Sequence, residues 1–180
     1  NNIARLVAVA DIDLEKAREL SLLAPNVQYF SDWKTALSIE AIDIVIVSTI
    51  HSELQPIAMA AIGAGKHVLI EKPAGISAEE INLLIEKQAQ HKVCVQVGFN
   101  HRAHPALIKA KQLVDLGALG ELYYIRANYG HGGRIDYDKE WRMDPHKSGG
   151  GHLVDQGAHL IDLSHWFLGT FDKISASLHK

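Results

Sequence analysis

Short runs of apolar residues alternate with segments whose apolar positions recur three and four apart. Residues 5–11 (Arg-Leu-Val-Ala-Val-Ala-Asp) are nearly all apolar, the pattern of a strand buried on both faces. Asp13 follows as a helix N-cap, with Leu14, Ala17, Leu20 and Ser21 at helical spacing. Residues 27–30 predict a short strand, and Ser31 or Asp32 caps a short helix to about residue 39. Residues 42–48 (Ile-Asp-Ile-Val-Ile-Val-Ser) are the strongest strand pattern in the chain. An alanine-rich helix over 53–65 ends at Gly63 and Gly65, and a strand follows at 67–71. Ser77-Ala-Glu-Glu is a capping box that opens a helix to about residue 91, before a strand at 93–98. Strands separated by helices in this way predict α/β architecture with a parallel, doubly wound sheet.

The second half changes rhythm. Residues 105–116 predict a helix closed by Gly117 and Gly120, and residues 121–129 alternate as a strand with one wet face would. Residues 130–151 are rich in glycine and charge and predict a long loop. An amphipathic helix is expected over 153–168, stopped by Gly169, and another strand over 171–179. The change of character falls near residues 117–121, giving expected domains at 1–118 and 119–180.

Composition narrows the classes. The chain has 180 residues and is 47% hydrophobic, enough for a sizeable core. The net charge of −3 includes no basic stripe, so nucleic acid is not an expected partner. No apolar run approaches the roughly 18 residues of a membrane span. The single cysteine, Cys94, excludes a disulfide framework, reads as a buried strand thiol, and fits a reducing, cytoplasmic setting.

Two islands carry candidate chemistry. Residues 67–73 (His-Val-Leu-Ile-Glu-Lys-Pro) are an apolar strand ending in lysine and proline. Residues 149–162 hold Asp155 and His159 four apart, hence on one face of a helix. A lysine, a histidine and an aspartate brought into one cleft form an acid/base apparatus for a hydroxyl or carbonyl carbon. His152, Asp155, His159 and Asp162 also recur at helical spacing, so a metal site built on His152, Asp155 and His159 is an alternative.

The chain resembles the Gfo/Idh/MocA oxidoreductases, relatives of glucose–fructose oxidoreductase and inositol dehydrogenase. The matching stretches are 6–11, 64–73 (Ala-Gly-Lys-His-Val-Leu-Ile-Glu-Lys-Pro), 97–102 (Val-Gly-Phe-Asn-His-Arg), 117–121 and 149–166. The resemblance implies an NAD-binding Rossmann-type domain, then the start of an α+β domain with a mostly antiparallel sheet. It also implies truncation at both ends. No Gly-x-Gly-x-x-Gly occurs, and the family's first strand has no counterpart. In the strand order 3-2-1-4-5-6 that strand lies mid-sheet. The strands near residues 7 and 45 must then close a gap or leave two raw edges.

The resemblance also implies roles. Asp11 ends a strand where an acidic residue binds the adenosine ribose and repels a 2′-phosphate, favouring NAD over NADP; a loop or capping carboxylate is the alternative. Lys72, after Glu71 and before a proline that the family pattern makes cis, would polarise the reacting oxygen; an exposed strand-end lysine is the alternative. His159 would exchange the hydroxyl proton, and Asp155 would orient the ring or bind a substrate hydroxyl; a helix face with local polar pairing is the alternative. Asp162 is expected to be structural or to support one of these side chains from behind. Thr49, His51, Glu71, Lys72 and Asn100 are expected on the cofactor side, although Thr49-Ile-His51 departs from the family's Thr-Pro-Asn. Arg102 is expected to line the cleft or form a surface salt bridge. His131, Arg134, Tyr137, Trp141 and Arg142 are expected to contact substrate, because aromatic faces stack on sugar rings and arginines bind carboxylate or phosphate; packing on a partner subunit is the alternative. The expected reaction moves hydride between NAD and a secondary alcohol or ketone of a sugar, cyclitol or nucleotide-sugar. The expected assembly is a homodimer or homotetramer. A non-catalytic NAD-binding sensor is the rival on the same fold.

Overall fold

The computed structural model describes residues 3–130 and 134–177. The chain divides into two compact units, Asn1–Val97 and Gly98–Lys180.

The first unit alternates strand and helix as its sequence predicts. Strand β1 is Ala8–Ala10, α1 Leu14–Ser21, β2 Gln28–Phe30, α2 Trp33–Leu37 and β3 Ile44–Val47. Helix α3 is His51–Gly63, β4 His67–Glu71, α4 Ala78–Gln90 and β5 Val95–Gly98. The helix starts are set by local chemistry. The side chains of Asp13, Asp32 and Ser77 accept the backbone N–H groups of Glu15, Lys34 and Glu80.

Two sheets result, one ordered β1-β2 and one ordered β3-β4-β5. β1 pairs parallel with β2, Val9 opposite Tyr29, and β3 pairs parallel with β4, Val45 opposite Val68. Among the described residues, β1 and β3 each keep one edge without a partner strand. Of the two outcomes expected for the strands near residues 7 and 45, closing together or leaving raw edges, the raw edges are the one observed among the described residues. This also corrects the expectation that β1 is buried on both faces: Ala8–Ala10 are half-buried and Leu6 is 42% exposed. An apolar run is sealed only if a neighbour supplies the second edge and a helix the second face.

The core of this unit sits between β3-β4-β5 and one helical layer. α3 buries His51, Leu54, Ile57, Ala58, Ala61 and Ile62, a stripe at three- and four-residue spacing. Its alanines let the backbone approach β4 and α4 closely. Val47, Val68, Ile70, Leu84 and Val93 complete the cluster. The opposite sheet face, with Ile44, Ile46 and Leu69, is exposed. The same alternation corrects the reading of Cys94, which is exposed. Val93, Val95 and Val97 point into the core, so Cys94 and Gln96 point away from it.

The second unit begins with a 3₁₀ turn, Asn100–Ala103, and helix α5, Pro105–Asp115. Its loop contains 3₁₀ turns at Tyr137–Lys139 and Trp141–Met143 and a short helix α6, Pro145–Ser148. The expected helix over 153–168 opens with a π-helical turn, Leu153–Gly157, and becomes α-helical as α7, Ala158–Leu168. The strand expected over 121–129 is absent, and so is strand structure over 171–177. A strand is held by its ladder, and no neighbour among the described residues offers one. Ile125 and Ala127 instead line an apolar cleft of about 330 Å³ with Leu107, Leu160 and Phe167.

Candidate active site

In the first unit the candidate residues follow the carboxyl ends of parallel strands, where open α/β sheets bind ligands. Asp11 follows β1. Its N–H donates to the Phe30 carbonyl at 3.1 Å, and its Oδ1 accepts the Asp13 N–H at 2.8 Å. Asp13 is the helix cap, so the Asp11 carboxylate keeps acceptor capacity for other donors. Thr49 follows β3, is exposed, and its hydroxyl donates to the Ile50 carbonyl at 3.3 Å. His51 is the first residue of α3 and is only 4% exposed.

Glu71 closes β4, and the chain then turns sharply. The Ala74 N–H donates to the Glu71 carbonyl at 2.9 Å, so Lys72 and Pro73 are the two central residues of the turn. Their peptide bond is cis. Ala74 adopts φ 73°, a left-handed conformation uncommon for alanine, and is buried in the core cluster. The turn thus fixes the backbone that carries the half-buried Lys72.

In the second unit Asp155 and His159 are both buried, at 3% and 6% exposure. Asp155 lies in the π-helical turn, a feature common at functional sites, and His159 is the second residue of α7. The approach to this helix depends on Gly149–Gly151, all at positive φ. A Cβ on Gly150 would meet Val154 Cγ2 at 2.8 Å. Buried Ser148 accepts the N–H groups of Gly150 and Gly151 at 3.3 and 3.1 Å.

Gln156 and Arg142 both brace Asp155. Gln156 Nε2 donates to its Oδ2 at 2.9 Å, and Arg142 Nε forms an ion pair with the same oxygen at 3.3 Å. Arg142 also donates to Glu140 at 3.0 Å and lies over the Trp141 ring at 4.6 Å. Glu140 accepts from Arg134 at 2.6 Å, and that hydrogen bond, then the charge of Arg134, holds the Glu140 carboxyl below its ordinary pKa. Arg134 also lies over Tyr137, whose ring packs on His152 at 5.2 Å. Four of the expected substrate residues, Arg134, Tyr137, Trp141 and Arg142, therefore form one packed cluster, and Arg142 reaches Asp155. His131 lies outside the described residues. Among the described residues no three His, Cys, Asp or Glu side chains are placed to hold a metal ion.

His159 packs against the turn that follows β5. The His101 ring stacks on it at 3.9 Å between centroids, 13° from parallel, and Phe99 meets it edge-on at 6.3 Å. Next to His101, Arg102 makes a two-pronged contact with Asp162, Nε to Oδ2 at 2.8 Å and Nη2 to Oδ1 at 2.6 Å. Its guanidinium also lies 5.6 Å over the Trp166 ring. Asp162 raises the Arg102 pKa, chiefly by accepting these hydrogen bonds. The Arg102 side chain is 41% exposed, whereas the Asp162 side chain is only 8% exposed. Asn100, exposed, opens the same turn. The sequence assigned no role to His101, Glu140 or Gln156. Only His101 was signalled, by its place between Asn100 and Arg102 in the motif.

Known proteins resemble this chain along most of its length. The family model for the oxidoreductase family with an NAD-binding Rossmann fold matches residues 1–99, and that for the GFO/IDH/MocA C-terminal domain matches 107–180. The chain is 31% identical over 153 residues to levoglucosan dehydrogenase of Pseudarthrobacter phenanthrenivorans, covering 82% of this chain and 38% of the relative. The solved structure of GenD2 from gentamicin A biosynthesis in complex with NAD is similar at TM-score 0.83 and 29% identity, over 92% of this chain and 46% of that one. Myo-inositol 2-dehydrogenase from Lactobacillus plantarum is similar at TM-score 0.81 and 27% identity, over 92% and 49%. The chain thus spans half or less of the length of these relatives. With both family models matched in order along it, this chain belongs to the Gfo/Idh/MocA family of oxidoreductases.

Proposed function

We propose that this chain supplies the proton-handling and much of the cofactor-binding apparatus of an NAD-dependent dehydrogenase. The reaction would act on a secondary alcohol or ketone of a sugar, a cyclitol or a nucleotide-sugar. The single observation that carries this reading is the buried Asp155–His159 pair on one helix, with Arg142 and Gln156 bracing the carboxylate. Relatives named for levoglucosan and myo-inositol support the substrate class.

The residues present fit the ribose side of a dinucleotide, and a glycine-rich turn for its pyrophosphate is not among them. Asp11, at the end of β1 with acceptor capacity remaining, suits ribose hydroxyls and would repel a 2′-phosphate, which favours NAD over NADP. Thr49, His51, Glu71 and Asn100 would flank the cofactor. When bound, NAD supplies the hydride-accepting carbon.

The remaining work belongs to the chain's own side chains. His159 takes the hydroxyl proton as the alcohol carbon is oxidised, and returns it in the reverse direction. Lys72 donates a hydrogen bond to the same oxygen and stabilises alkoxide charge developing there. Asp155 orients the imidazole or a neighbouring hydroxyl. The cluster around Arg134, Tyr137 and Trp141 shapes the substrate side. The whole protein is proposed to work as a homodimer or homotetramer in the cytoplasm, a setting that fits a lone, unpaired thiol.

In the full-length protein, His159→Ala should lower kcat by about 10²–10⁴ while NAD still binds. Steady-state NADH absorbance over a panel of polyols and nucleotide-sugars, with calorimetry for NAD, measures both. Undiminished turnover by His159→Ala would refute the assignment.

A further inference from the structure

The 3₁₀ turn Asn100–Ala103 meets α7 at a spacing that singles out His159. Its His101 contacts His159, and its Arg102 contacts Asp162 and Trp166. Positions 159, 162 and 166 are separated by three and four, so they form one stripe along one face of the helix. Two adjacent residues of the turn thus grip successive turns of α7, with the imidazole at one end of the grip. The contacts differ in kind. The His101–His159 stack, 13° from parallel, restricts the tilt of the His159 ring. The Arg102–Asp162 fork fixes rotation and register, because two parallel N–H···O bonds accept only one relative orientation. His101 also stacks on Tyr129 at 5.9 Å and 27°, so its own ring plane is supported.

We propose that His101 and Arg102 are positioning residues for His159: the fork of Arg102 on Asp162 holds the turn in register with α7, and the His101 ring then sets the plane of the His159 imidazole. The proposal rests on the reading of His159 as the proton-transferring group. It gives Arg102 a role on the helix rather than on the substrate. A fork at this position decides where an imidazole points.

The test uses the full-length protein with NAD bound, in wild type, Arg102→Lys and His101→Leu. Lysine keeps the charge but cannot make the two-pronged contact. Histidine-selective ¹³C NMR, assigned with His159→Gln, follows the His159 ring resonance, its relaxation and its Overhauser contact with the ring at 101. The expected result is a displaced, more mobile His159 ring in both variants. With myo-inositol or levoglucosan as probe substrate, kcat should fall about 10- to 100-fold with KM changed less than about twofold. NAD affinity and melting temperature should stay near wild type. A His159 signal that matches wild type in both variants would overturn the proposal, and so would activity lost only in parallel with melting temperature and NAD affinity. If His159→Gln proved fully active, the acid/base reading would fall, and the ring measurements would still decide the positioning role.

Discussion

Glu140 shows how much a single side chain organises in the second unit. It accepts from Arg134 and Arg142, and Arg142 in turn pairs with Asp155. Its folded pKa is lowered, first by the hydrogen bond from Arg134. A lowered carboxyl pKa contributes stability that is present above the unfolded value, ordinarily about 4.3, and lost as pH falls through the folded value. The cluster should therefore be unchanged from neutral pH down to about 5 and loosen below about 4. The Trp141 indole resonance, whose ring lies under Arg142, reports this directly. A shift of that signal between pH 7 and 5, with none below 4, would contradict it. These pairings were not legible in the sequence. Arg134 and Arg142 read as substrate contacts because a free arginine and a paired one look alike until the fold selects the partner. Arg102 and its partner Asp162 are 60 residues apart in sequence. Cys94 was misplaced for a simpler reason: alternation fixes which residues share a face, and core contacts fix which face is inside.

At the scale of elements, local chemistry was readable and partner-dependent structure was not. Strand β4 forms over the residues its pattern marks, and Asp13, Asp32 and Ser77 cap their helices. The stretch 121–129 has a strand's alternation but no ladder. The π-helical turn at Leu153–Gly157 left no mark on the apolar spacing. Lys66 joins elements in a way that a reading of periodicity misses. Gly65, at φ 75°, turns the chain after α3, and the Lys66 N–H returns to the Ala61 carbonyl at 3.0 Å. The Lys66 side chain is buried, and its ammonium donates to the carbonyls of Ile39 and Ile42 at 3.1 and 2.7 Å. It therefore caps the connection between α2 and β3. Removing it leaves two carbonyls without this donor, and Lys66→Ala should destabilise the full-length protein by about 1–3 kcal/mol. Urea unfolding measures this, and a change within about 0.3 kcal/mol would show that water replaces the ammonium without loss.

At the scale of the whole molecule, the residues proposed to carry the chemistry belong to two units. Lys72 stands on the first, in a turn fixed by a buried Ala74. Asp155 and His159 stand on the second, on one helix face, held by Arg142 and by the turn around His101. The proposed reaction asks these three residues to serve one carbon, because oxidising an alcohol needs a proton acceptor and an oxygen-polarising cation beside it. The measurement that tests this most directly is a crystal structure of the full-length protein with NAD. The account predicts the Lys72 ammonium and the His159 imidazole both within roughly 3 Å of one position beside nicotinamide C4, where a substrate oxygen would sit. Finding the two groups turned into separate solvent pockets would contradict it.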